Sequence, residues 1–207
     1  MAGPDNLESV DTFLRGVEQI CTDISREDIN KLVEELYQAW ERRSQIFLIG
    51  NGGSNASASH FAADLNNCTA KIEGVHPFRA LCLGDNLTRV SALTNDEGWG
   101  RVYIAQLENF YQEGDVVLGI SVHGGSGADR AGVWSQNLLS ALQYAKDLGG
   151  RALGFTGFDG GAMKELCHVC INVPYNTTPH VEGFHSILTH LVSSELTRRI
   201  AQETNGS

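Results

Sequence analysis

No apolar stretch in this sequence approaches the roughly 18 residues that a membrane span requires, so no membrane partner is expected. The opening, MAGPDNLESVDTF, lacks the basic and apolar regions of a secretory signal. Basic charge is also scarce. Fifteen Lys+Arg stand against 25 Asp+Glu, a formal net charge of -10, which disfavours nucleic acid or an anionic membrane surface as a bulk partner. An anionic ligand therefore needs a local pocket. Cysteine is sparse and odd in number, five in all (Cys21, Cys68, Cys82, Cys167, Cys170); no disulfide framework is implied, and a reducing, cytoplasmic setting is the expectation. With only four prolines in 207 residues, no Pro/Gly/Ser linker, no internal repeat and no low-complexity tract, one compact domain with an appendage is expected.

What is present falls into two rhythms. Val10, Phe13, Leu14, Val17, Ile20 and Cys21, then Ile29, Leu32, Val33, Leu36, Tyr37 and Trp40, recur at helical spacing. They predict two leading helices within 1–43, the second capped by Ser25. Both carry more apolar surface than one sheet can cover beside its own helices, so 1–43 is read as an oligomerisation arm. From residue 45, short apolar runs alternate with helical stretches. Strands are predicted at Gln45–Ile49, Phe78–Leu83, Val116–Ser121, Arg151–Thr156 and Val169–Val173, and helices at Ser54–Asn66, Asn86–Thr94, Trp99–Phe110, Asp129–Leu148 and Glu182–Ile200. Strands alternating with helices imply an α/β fold: a five-stranded parallel, doubly wound sheet over 44–201, with a short tail at 202–207. In such sheets ligands bind at the carboxyl ends of the strands, where the strand order switches.

Two loops at those ends carry chemistry. Gly50-Asn51-Gly52-Gly53-Ser54 leads from the first strand into a helix. Its glycines permit a tight turn that presents backbone N–H groups, the helix N-terminus favours an anion, and Ser54 adds a hydroxyl. It has neither the lysine of a P-loop nor the spacing of a dinucleotide fingerprint. The third strand runs into Ser121-Val122-His123-Gly124-Gly125-Ser126. Together the loops offer Asn51, Gly52, Gly53, Ser54, Ser121, His123 and Ser126 to one phosphoryl group, although ordinary helix-start propensity also explains Ser and Gly there.

These loops, with TNDEGW between them and histidines on the last predicted helix, resemble the phosphoheptose isomerase branch of the SIS (sugar isomerase) superfamily over nearly the whole chain. The resemblance implies a flavodoxin-like five-stranded sheet. It implies interconversion of sedoheptulose 7-phosphate with a D-glycero-D-manno-heptose 7-phosphate, and a homotetramer with sites at subunit interfaces. It further implies one Zn2+ per site, held by His60, Asp64, Glu182 and His190, with Asp64 and His190 moving the proton and Asp96 orienting a sugar hydroxyl.

His60 and Asp64 stand four apart, on one face of a helix. The sequence departs from the family where Asp64 replaces a glutamate, Glu182 a glutamine, His123 a serine and Cys68 an arginine. The stretch Gly127–Asn137 looks like an insertion that brings Arg130 and Trp134 to the pocket mouth. Residues 182 and 190 are separated by about 12 Å along an ideal helix, so they meet at one ion only if Glu182 precedes the regular helix or the side chains reach inward. Two other readings stay open. One is a non-catalytic adaptor, resembling the SIS-type protein that associates with the bacterial replication initiator; the other is an isomerase of a different sugar phosphate. Cys167-His168-Val169-Cys170 invites a zinc or redox reading, but core packing is the expectation.

Overall fold

The structure, a computed structural model, describes residues 4–125 and 135–205, with side chains described from 9 to 204. Two helices open the chain, α1 (Pro4–Asp23) and α2 (Arg26–Glu41). Ser25 caps α2 by accepting a hydrogen bond from the Asp28 N–H at 3.1 Å. Five strands follow: β1 (Gln45–Gly50), β2 (Arg79–Cys82), β3 (Val116–Ile120), β4 (Arg151–Gly157) and β5 (Val169–Val173). All neighbours pair in parallel, in the order β2-β1-β3-β4-β5.

Helices cover both faces of this sheet, which is why the central strands read as unbroken apolar runs. On one face Leu32, Val33 and Leu36 of α2 pack with Phe61 and Leu65 of α3 (Gly53–Asn67) and Leu188, Val192 and Leu196 of α8 (Thr178–Asn205). On the other, Leu107 of α5 (Ile104–Phe110), Leu138, Ala141 and Leu142 of α6 (Gln136–Asp147) and Met163 of α7 (Gly161–Leu166) pack over Phe47, Ile49, Val117 and Ala152. Burial of each large apolar side chain contributes roughly 1.5–3 kcal/mol, so the sheet with its two layers is the stable unit. Helix α2 is part of it. Helix α1 buries Ile20 but leaves Val10, Phe13 and Leu14 exposed.

Element ends differ from the sequence reading where backbone geometry decides. Gly98 at φ 88° precedes a single 3-10 turn, Trp99–Arg101, and α5 starts only at Ile104, so one expected helix is two. Helix α4 (Leu87–Asp96) is capped by Asn86. The short helix α7 was not expected at all. Helix α8 begins four residues before Glu182, which places Glu182 inside the regular helix. Ser126, Arg130, Trp134 and most of the insertion Gly127–Asn137 lie outside the described residues. Among the described residues no helix is long and apolar enough to cross a membrane.

The order β2-β1-β3 reverses direction between β1 and β3, the switch point at which a ligand cleft opens. Gly50 pairs with Ile120 across that boundary. The two Ser/Gly loops therefore leave the sheet side by side, at one level.

Candidate active site

The first loop is shaped by its glycines. Gly52, the N-cap of α3, has φ 57° and ψ -125°, a conformation that a Cβ disfavours. At Gly50 a Cβ would stand 2.5 Å from the Ser54 carbonyl oxygen. Asn51 is locked by a reciprocal amide pair with Asn137, at 3.0 and 2.9 Å. Asn137 is fully buried; nothing in its local sequence marks it, since its partner is 86 residues away. Ser54 and Ser121, both nearly buried, face a cavity of about 640 Å3 that Asn51, His123, Phe158 and Glu182 also line. Ser54 and Ser121 thus border one space beside the N-terminus of α3, which suits an anion.

Further along α3, His60 and Asp64 project from one face, as their spacing requires. Helix α8 packs against α3 and delivers His190 to the same point. His60 Nε2 lies 3.7 Å from Asp64 Oδ1, and His190 Nδ1 lies 3.2 Å from Asp64 Oδ2. The two imidazoles meet edge to face, with centroids 4.8 Å apart. Asp64 Oδ2 is buried without an aligned hydrogen bond, which leaves a carboxylate oxygen able to ligate a cation. One donor atom from each of the three residues lies within 4.8 Å of the others. Donors of a tetrahedral zinc site stand roughly 3.3 Å apart, so two nitrogens and a carboxylate so placed fit Zn2+ after small side-chain adjustment. The shorter acid at position 64 still reaches both histidines.

Of the four residues that the resemblance offers as ligands, the structure brings three together. Glu182 stands apart because it lies inside α8, eight residues and about 12 Å along the axis from His190. Its carboxylate sits over the N-terminus of α3, where a Cβ on Gly53 would be 3.0 Å from Oε1, a favourable place for a negative charge. Glu182 lines both the 640 Å3 cavity and an adjoining one of about 440 Å3 that reaches His60. Asp96 is exposed at the last turn of α4, accepts a hydrogen bond from Asn95 Nδ2 at 2.7 Å, and lines neither of these cavities. Asn176 and Thr177 of the loop after β5, Thr178 at the start of α8 and Phe158 after β4 complete the cavity wall, at carboxyl ends of strands where a ligand site is expected.

Two other features belong to the core. His185 is 1% exposed; its Nε2 donates to the Thr156 carbonyl at 3.1 Å while Nδ1 has no partner, and burial pushes its pKa down to about 4. The thiols of Cys167 and Cys170 lie beside Gly154, each within 3.2 Å of where a Cβ there would be. Neither joins a metal-binding group of three or more residues among the described residues.

Strand order, two Ser/Gly loops at the switch point and a carboxylate between two histidines mark an α/β domain with one candidate site at the carboxyl ends of its strands. The family model for the SIS domain matches residues 12–157, and the chain belongs to that family. Within it the chain stands with the phosphoheptose isomerases. It is 34% identical over 178 residues to the phosphoheptose isomerase of Aliarcobacter butzleri, a match covering 81% of this chain and 88% of that protein. A match of 38% identity over 176 residues links it to the lincomycin biosynthesis protein LmbN of Streptomyces lincolnensis; it covers 83% of this chain but 62% of that longer protein. The phosphoheptose isomerase of Neisseria gonorrhoeae superposes with a TM-score of 0.79 at 25% identity, covering 93% of this chain and 96% of that one.

Proposed function

We propose that this aldose–ketose isomerase interconverts sedoheptulose 7-phosphate and D-glycero-D-manno-heptose 7-phosphate. The observation that carries the reading is that one helix, α3, bears the anion loop at its start and Asp64 with His60 farther along, where His190 of α8 joins them. His60 and Asp64 lie six and ten residues beyond Ser54, about 9 and 15 Å along the axis. An extended seven-carbon phosphate, roughly 10 Å long at about 1.25 Å advance per bond, spans the interval to His60 and extends towards Asp64, whose side chain tilts back towards the N-terminus of the helix. A triose phosphate does not.

In this reading Ser54 and Ser121 hold the phosphoryl group and fix the sugar chain along α3. Asp64 takes a proton from C1 of the ketose and returns it to C2, the step that makes the aldose. His190, 3.2 Å from Asp64, carries the proton that passes from O1 to O2. His60, Asp64 and His190 would hold Zn2+, whose contribution is to polarise the carbonyl and stabilise negative charge on the enediolate oxygen. Glu182, facing both cavities, accepts hydrogen bonds from sugar hydroxyls. The exposed apolar residues of α1, with Ile187 and Leu191 exposed on α8, support assembly into a homotetramer that covers them. The direct test is incubation of the protein with sedoheptulose 7-phosphate and a panel of pentulose and hexulose phosphates. Formation of the heptose phosphate supports the reading, whereas conversion only of a shorter ketose phosphate removes the substrate assignment.

Two expectations follow from the site. Ser54→Ala or Ser121→Ala weakens sugar-phosphate binding about tenfold, since each removes a hydrogen bond to a charged acceptor; titration calorimetry measures it. Zinc binds in a 1:1 ratio and is lost from a His60→Ala, His190→Ala double variant. Chelation leaves the far-UV spectrum unchanged, because a core of this size does not need metal to close. Full zinc content in the double variant identifies other ligands.

A further inference from the structure

Two loops build the cavity wall that carries Ser121, one running from 121 to 125 after β3 and the other from 158 to 160 between β4 and α7, and with their flanking glycines they interlock. A Cβ on Gly124, at φ 61°, would stand 1.9 Å from the Gly160 carbonyl oxygen, and one on Gly161, at φ 54°, would stand 2.2 Å from that of His123. Gly157 N donates to Val122 O at 3.0 Å and Met163 N to Gly124 O at 2.9 Å. Inside this junction Phe158 has φ 54°, a left-handed conformation uncommon for a bulky side chain. Tertiary hydrogen bonds impose it. Phe158 N donates to Tyr175 O at 3.1 Å, and Asn172 Nδ2 donates to Phe158 O at 3.1 Å while its Oδ1 accepts from Thr156 Oγ1 at 3.0 Å. Such strain persists where the surroundings over-determine it, and it concentrates at ligand sites.

The strained backbone places the Phe158 ring against the His123 ring, with centroids 4.3 Å apart at 45°. Both residues line the cavity with Ser54 and Ser121. We propose that Phe158 is a positioning residue that clamps the His123 imidazole so that a ring N–H meets the phosphoryl group of the substrate. The proposal rests on the phosphate-site reading above. A ring already fixed before binding loses little side-chain entropy on contact with the ligand, and the contact is stronger for it. His123 gives the interaction; Phe158 acts through it.

The test is calorimetric binding of inorganic phosphate and of sedoheptulose 7-phosphate. The proteins compared are wild type, His123→Ser, Phe158→Gly, Phe158→Tyr, the His123→Ser/Phe158→Gly double variant, and Ser54→Ala. Glycine suits φ 54°, so Phe158→Gly keeps the fold while removing the clamp, and a cooperative unfolding transition well above the assay temperature verifies this. His123→Ser is expected to weaken binding about tenfold, the value of one hydrogen bond to a charged group, and Phe158→Gly by roughly threefold to tenfold. Phe158→Tyr restores wild-type affinity to within about twofold. In the His123→Ser background Phe158→Gly has no further effect, a coupling that a merely structural role does not produce. Additive effects of the two substitutions overturn the proposal, as does unchanged binding by either single variant. If Ser54→Ala still weakens binding in that case, only the clamp fails; if Ser54→Ala is also silent, the phosphate-site reading fails with it.

Discussion

Asp64→Asn lowers kcat for ketose-to-aldose conversion by about 1000-fold, within the range that a positioned general base supplies, while affinity for the sugar phosphate stays within about twofold. The amide keeps the shape of the side chain but takes no proton at neutral pH. Asp64 is the carboxylate within reach of both His60 and His190, so no other acid of the cluster replaces it. Asp64→Glu is the informative companion. It restores the residue that the sequence resemblance leads one to expect but moves the carboxylate by about 1 Å from the point at which α3 and α8 now present it, a displacement that costs on the order of 100-fold. Steady-state kinetics by NMR, reading the aldose and ketose signals separately, checks both. Wild-type kcat in Asp64→Asn contradicts the assignment of the base.

The second large effect is on stability. His185 is buried as the neutral imidazole, its pKa pushed down to about 4 from 6.5 by desolvation. The unfolded chain therefore binds a proton between pH 6.5 and 4 that the native state refuses, and stability falls as pH falls through that window. Over about 2.5 pH units the loss is about 3 kcal/mol; above pH 6.5 the stabilisation is fully present. His185→Gln retains a donor for the Thr156 carbonyl and has nothing to titrate. Urea unfolding from pH 7.5 to 4.5, in the presence of a chelator, should show the wild-type curve dropping steeply relative to that of the variant. Parallel curves remove His185 as the source of acid sensitivity. Groups that the two proteins share cancel in the difference.

The outcome at each element follows from how local its cause is. Strands β1, β3 and β4 were legible as apolar runs because they are buried on both faces, and the loops at Gly50–Ser54 and Ser121–Gly125 were legible because tight turns into a helix need glycine and serine. The His60/Asp64 pair followed from a four-residue spacing on one helix. What escaped notice is non-local. The Asn51–Asn137 pair and the left-handed Phe158 depend on partners far away in the chain, and α7 is a single short turn stabilised by packing of Met163. The start of α8 decides whether Glu182 joins His190, and that start lies four residues earlier than the apolar pattern indicated, which leaves Glu182 lining the cavity with Ser54 and Ser121. Asp96 ends α4 in an exposed position, outside the cavity that Ser54 and Ser121 line.

Proton removal beside the ketose carbonyl is the central claim, and exchange with solvent reads it directly. An enediolate formed at Asp64 collects deuterium on return, so zinc-loaded wild-type protein incubated with sedoheptulose 7-phosphate in heavy water labels C1 of the recovered ketose, even where net conversion is small. The account predicts this labelling in wild type and its loss in Asp64→Asn. Tight binding of the sugar phosphate without deuterium incorporation, across the heptulose, hexulose and pentulose phosphates alike, contradicts it.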